Sequence, residues 1–159
     1  MKKVIFSTVS AFVFASAAIP AFTPSAEAQM TMHFSSPFIS NSGLVGAAGD
    51  RHFITVAVTG FPLESLTIAL PNDLRQLDGA MVLDENDQEI SAKVAIDKGS
   101  VTLTFPQPIE PDNYLTVRLS GVRMDSAGGT ALYRVTATYQ GLPGTLPIGT
   151  AMVRLRSQN

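Results

Sequence analysis

The chain has 159 residues, 45% hydrophobic and 15% charged, with a formal net charge of −2 and no cysteine. Charges of both signs are scattered without a basic patch, which argues against nucleic acid and anionic membrane surfaces as partners. Without cysteine there is no disulfide framework and no thiol for lipid attachment, so the fold has to rest on burial alone.

The beginning of the chain reads as an export signal. Lys2 and Lys3 precede an apolar run from Val4 to about Ile19, and Ala26-Glu27-Ala28 supplies small residues for cleavage. The run is shorter than the roughly 20 apolar residues a membrane-spanning helix needs. No arginine pair precedes it, which fits export as an unfolded chain. Residues 1–28 are therefore expected to be a cleaved signal peptide, and 29–159 a single domain in the periplasm or outside the cell. No second long apolar segment follows, so no membrane span is expected in the mature part.

Just past the cleavage site lie Met30, Met32 and His33. Thioether sulfur and imidazole suit Cu(I) or Cu(II), so these three residues are a candidate metal site, with His52 the only other histidine available. The plainer reading is a loose leader before the first strand. From there the chain reads as strands and turns. Ile54, Val56 and Val58 alternate within His52–Thr59, and Gly60-Phe61-Pro62 ends the run. Leu63 and Leu66 have helical spacing, which predicts a single turn over Pro62–Leu66 before Leu66, Ile68 and Leu70 resume the alternation. Met81-Val82-Leu83 is a short strand. Ile90, Ala92, Val94 and Ile96 form one longer strand, turned by Asp97–Ser100 into Val101, Leu103 and Phe105 as a hairpin.

Pro106, Pro108 and Pro111 predict an irregular link before Leu115, Val117 and Leu119. Gly121–Gly129 reads as a turn region. Tyr133, Val135, Ala137 and Tyr139 make one apolar face, and Ala151, Val153 and Leu155 close the chain after a Gly- and Pro-rich loop. Half-apolar strands at this spacing predict an all-β fold, an antiparallel β-sandwich of immunoglobulin-like type, with a small β-barrel as the alternative.

Several segments resemble an exported family known mainly from cyanobacteria, domain of unknown function 2808. They are Phe34–Phe38, Phe61–Ile68, Val101–Phe105 through Pro111, Leu115–Leu119, Gly121-Val122-Arg123, Gly128-Gly129 before Tyr133–Ala137, and Leu146–Gly149. The family often has an aromatic-rich strand where this chain has Phe53–Val56, and an aromatic where it has Arg154-Leu155-Arg156. The resemblance implies an exported β-sandwich and brings no catalytic residue. A looser likeness to bacterial immunoglobulin-like domains covers Ile109–Tyr114 and Asp125–Gly128. Tyr114 is out of phase with Leu115, Val117 and Leu119, so an exposed tyrosine at a strand start is expected in place of a tyrosine corner.

The remaining candidates point away from catalysis. There is no nucleophilic cysteine, no G-x-S-x-G, no H-E-x-x-H and no Gly-rich phosphate loop, so neither an enzyme nor a cofactor is expected. Asp84, Asn86 and Gln88 echo a calcium loop, but Glu89 and Ala95 stand where glycine and glutamate belong, and a solvated turn accounts for them better. Arg118, Arg123, Arg134, Arg154 and Arg156 are outward-facing positions expected to share one solvated face. The sequence thus predicts a non-catalytic exported module, structural or for recognition, whose partner is an envelope protein or another extracytoplasmic ligand. A periplasmic copper carrier using Met30, Met32 and His33 is the alternative.

Overall fold

Apolar side chains at every second position turn these segments into strands whose inner faces must cover one another. The computed structural model describes residues 36–125 and 128–157, all within one compact unit. The strands among them begin with β1 (Phe38–Val45), β2 (Arg51–Val58), β3 (Leu63–Ala69), β4 (Leu74–Gln76), β5 (Gly79–Leu83) and β6 (Glu89–Ile90). They continue with β7 (Lys93–Ile96), β8 (Ser100–Ile109), β9 (Asn113–Ser120), β10 (Arg123–Met124), β11 (Thr130–Tyr139) and β12 (Leu146–Arg154).

Two antiparallel sheets result, ordered β1-β2-β9-β5-β6 and β12-β11-β3-β8-β7, with β10 and β4 forming a separate two-stranded ribbon. Each sheet keeps its own edges, which makes a sandwich and not the barrel alternative. Ile54, Val56 and Val58 of β2 and Leu115, Val117 and Leu119 of β9 are buried from one side. Leu66 and Ile68 of β3, Val101 and Leu103 of β8, and Val135 and Ala137 of β11 are buried from the other. Each fully buried Val, Leu or Ile contributes about 1.5–3 kcal/mol relative to exposure, so this layer carries most of the stability.

Four expectations need correction. No helical turn forms over 62–66: β3 starts at Leu63, and its register with β8 and β11 shifts just after it. A bulge advances the chain by one residue, so Leu63 and Leu66 both point inward at a spacing that imitates a helix. The proline link is not irregular throughout, because β8 runs on to Ile109. Pro106 and Pro108 fall where the β3–β8 ladder is interrupted, and there a missing N–H costs little. The strand expected from Ile90 to Ile96 is two strands, β6 in one sheet and β7 in the other, with Ser91 and Ala92 crossing between them. The turn region Gly121–Gly129 contains β10, tied to β4 by an Arg75–Asp125 ion pair and by Asp125 N–H donating to the Asp73 carbonyl at 2.8 Å.

The flanks of the sandwich differ. Beside β1 and β12, Ser42 Oγ donates to the Met152 carbonyl at 3.0 Å and Ile39 lies against Gly149. Gly43 in β1 is needed because the Phe53 ring lies where a side chain would go; a Cβ there would sit 2.9 Å from the ring. At the other flank all four residues of β7 are exposed.

Candidate functional site

The candidate metal ligands Met30, Met32 and His33 lie outside the described residues. His52 is described, and it is not a surface ligand. It is fully buried at the start of β2, and its Nδ1 meets the Tyr133 hydroxyl of β11 at 2.7 Å, with the rings edge to face at 5.7 Å. Burial pushes the imidazole below its ordinary value, against the smaller pull of the Gly49 carbonyl and the Asp50 carboxylate. Burial, helped by Asp73, pushes the Tyr133 hydroxyl far up, so it keeps its proton, and the imidazole tautomer sets which of the two groups donates. The pair is a polar tie between the sheets. Tyr139 is the other buried phenol; desolvation raises it to about 12, and its hydroxyl has no partner among the described residues.

The acidic loop after β5 is a turn, and its geometry shows why. Asp84 Oδ1 accepts from the N–H groups of Asn86 and Gln88, both at 2.8 Å, and Asp87 takes the left-handed conformation with φ 59°. Among the described residues no three His, Cys, Asp or Glu side chains converge as metal ligands. The arginines do not share one face. Arg118 projects from β9 and bonds Asp87 Oδ1 at 2.6 Å, whereas Arg134 and Arg154 are exposed on the opposite sheet. Arg123 belongs to the β10–β4 ribbon, and Arg156 donates to the Ala47 carbonyl at 2.7 Å. Residues spaced along the chain at outward positions share a face only if their strands share a sheet.

The arrangement best suited to recognition is on the outer face of the first sheet, and it centres on Tyr114. The register sets Phe38 of β1, Ala57 of β2 and Tyr114 of β9 in one row. Ala57 alternates away from the core set of β2, yet it is only 3% exposed, while Phe38 and Tyr114 are 46% and 45% exposed. The small residue is the floor and the two aromatics are the walls of a notch of about 230 Å³. Behind Tyr114 a cleft of about 520 Å³ continues past Ile90, Pro106, Pro108, Ile109 and Asn113.

The ridge between these two hollows is held firmly. Asp112, at φ 64°, donates its N–H to the Val58 carbonyl at 2.8 Å. Asn113 Nδ2 donates to the Glu110 and Pro111 carbonyls at 3.0 and 3.2 Å. The Tyr114 N–H donates to Glu85 Oε1 at 3.1 Å, which ties the acidic loop to the ridge. The rim is therefore apolar in its walls and acidic around them. A side chain or ring entering the notch would be gripped by aromatic faces, with amide and carboxylate groups beside it. Sequence reasoning placed Tyr114 correctly as exposed, but Phe38 and Ala57 join it only through the strand register.

No curated protein sequence matches this chain. Among solved structures it is similar to the bacterial hydrophobin BslA, with a TM-score of 0.54 and 12% identity over 79% of this chain and 97% of that one. It is also similar to the N-terminal domain of a Streptococcus gordonii adhesin, with a TM-score of 0.49 and 9% identity over 77% of this chain and 33% of that one. A non-cellulosomal cohesin from Archaeoglobus fulgidus gives 0.46 and 10%, over 79% of this chain and 94% of that one. Identities this low show the fold alone. The model of a family of proteins of unknown function, DUF2808, matches residues 38–154, from the first residue of β1 to the last of β12, and the chain belongs to that family.

Proposed function

We propose that the protein is a non-catalytic recognition module exported to the cell envelope, and that it holds an extended segment of another envelope protein at the Tyr114 ridge. The observation that carries this reading is the pair of half-exposed aromatics, Phe38 and Tyr114, standing on either side of the buried Ala57. Aromatic side chains presented on a rigid strand framework give large contact area at low entropic cost, the usual anchor of protein recognition. The prolines and Ile109 behind the ridge extend the apolar track, and the hydrogen bonds of Asn113 and Glu85 organise it in advance. Export is supported by Lys2, Lys3, the apolar run and Ala26-Glu27-Ala28.

A photo-crosslinking amino acid at position 114, with a control at Leu132 on the opposite sheet, tests the ridge in intact cells. A discrete adduct formed from position 114 and not from 132, and lost in Phe38→Ala, is the expected result. Equal labelling at both positions, or none at 114, contradicts the reading. Mass spectrometry of the extracytoplasmic fraction tests export separately, with a mature chain starting at Gln29 as the expected form.

A further inference from the structure

β7 is the last strand of its sheet, and its side chains betray an unfinished flank. Val94 and Ile96 stand in register with Leu103 and Val101, which are fully buried, so all four lie on the core side of the sheet. Yet Val94 is 38% and Ile96 42% exposed. The facing sheet ends in the two residues of β6 and does not reach over them.

Among the described residues no strand pairs with the backbone at this edge. Asp97 N–H donates to the Ser100 carbonyl at 2.9 Å, which closes the hairpin with a hydrogen-bonded pair. Antiparallel ladders alternate, so Ala95 and Lys93 likewise direct their peptide groups at β8, opposite Thr102 and Thr104. Val94 and Ile96 then turn their N–H and C=O groups to the free edge. Such an edge is a template for another strand.

The side chains select which strand. In an antiparallel self-pairing centred on Ala95, Val94 faces Ile96, and Lys93 faces Asp97, at both ends of the contact. The same register makes Val94 and Ile96 the hydrogen-bonded pairs, as their outward peptide groups require. A parallel pairing sets Lys93 against Lys93 and Asp97 against Asp97. Antiparallel registers centred on Val94 or Ile96 leave these charges unopposed, and those centred on Lys93 or Asp97 set like charges together. Lys93 and Asp97 are both exposed, and neither forms a salt bridge among the described residues.

We propose that β7 pairs with β7 of a second copy of this chain about a two-fold axis at Ala95. The ladder continues from one molecule into the next, and Val94 and Ile96 of each copy cover those of the other. The contact is small, so the dimer forms and parts readily. This strand is on the opposite sheet from Tyr114, and none of its residues lines the notch or the cleft beside that ridge.

Sedimentation velocity of the purified protein over a wide concentration series tests the pairing. The weight-average sedimentation coefficient of the natural protein rises with concentration. Lys93→Asp alone and Asp97→Lys alone each place like charges across the axis twice and weaken association on the order of tenfold. The double exchange Lys93→Asp with Asp97→Lys restores it, because the opposition is the same with signs reversed. Unchanged melting of the three variants shows that the fold is intact. No concentration dependence in the natural protein, association indifferent to the single reversals, or failure of the double exchange to restore it overturns the proposal.

Discussion

Where β1 runs beside β12, a serine hydroxyl reaches across to the neighbouring backbone and Ile39 settles against Gly149, so the two sheets meet. At the opposite flank, β6 stops after two residues and leaves the core-side residues of β7 uncovered. Both flanks are built from strands with the same alternation. Alternation decides which way a side chain points; the length of the facing strand decides whether anything covers it. Val94 and Ile96 have the pattern of core residues and the exposure of surface ones.

The sharpest way to break this comparison is to truncate two side chains paired across β7 and β8. Leu103→Ala should cost about 2–5 kcal/mol by urea unfolding, as deletion of a fully buried Leu does. Val94→Ala, opposite it in the register, should stay within about 0.5 kcal/mol in dilute solution. Equal costs would mean that the flank is covered after all.

Next in size is the tie between the sheets. Tyr133→Phe removes the hydroxyl that bonds His52 and leaves a buried imidazole nitrogen unsatisfied, at a cost of about 1–3 kcal/mol by the same unfolding measurement. Burial of His52 also sets a pH response. His52 is below its ordinary 6.5 when folded, so the unfolded chain takes up the proton first as acid is added. Stability is therefore full above about pH 6.5 and falls as the pH drops toward the lower folded value. His52→Gln should flatten that part of the stability profile, which thermal melts between pH 5 and 8 would show. A smaller loss than that of the tie belongs to the closed flank: Ser42→Ala loses one partly solvated hydrogen bond and should cost about 0.5–1 kcal/mol.

The regular strands were legible because Ile54, Val117, Leu103 and Val135 sit in runs whose period is unbroken. The misses have local causes. β1 carries Asn41, Ser42 and Gly43 and a register shift near Ile39, so no alternation marks it. β4 and β10 are too short to show a period. The bulge after Leu63 disguised a strand as a turn, and the crossing at Ser91-Ala92 keeps the alternation while changing sheets. The site was less legible than the fold. Tyr114 announced itself by being out of phase, but nothing in the order of residues sets Phe38 and Ala57 beside it. Strand register does that, and it joins positions far apart in the chain.

The contrast between flanks is tested most directly by residue-resolved amide exchange of the protein at low concentration. The account predicts fast exchange at Val94 and Ile96 and slow exchange at Ala95, whose N–H faces β8, with the two fast sites slowing as concentration rises. Uniform protection of Val94, Ala95 and Ile96 in dilute solution would contradict it.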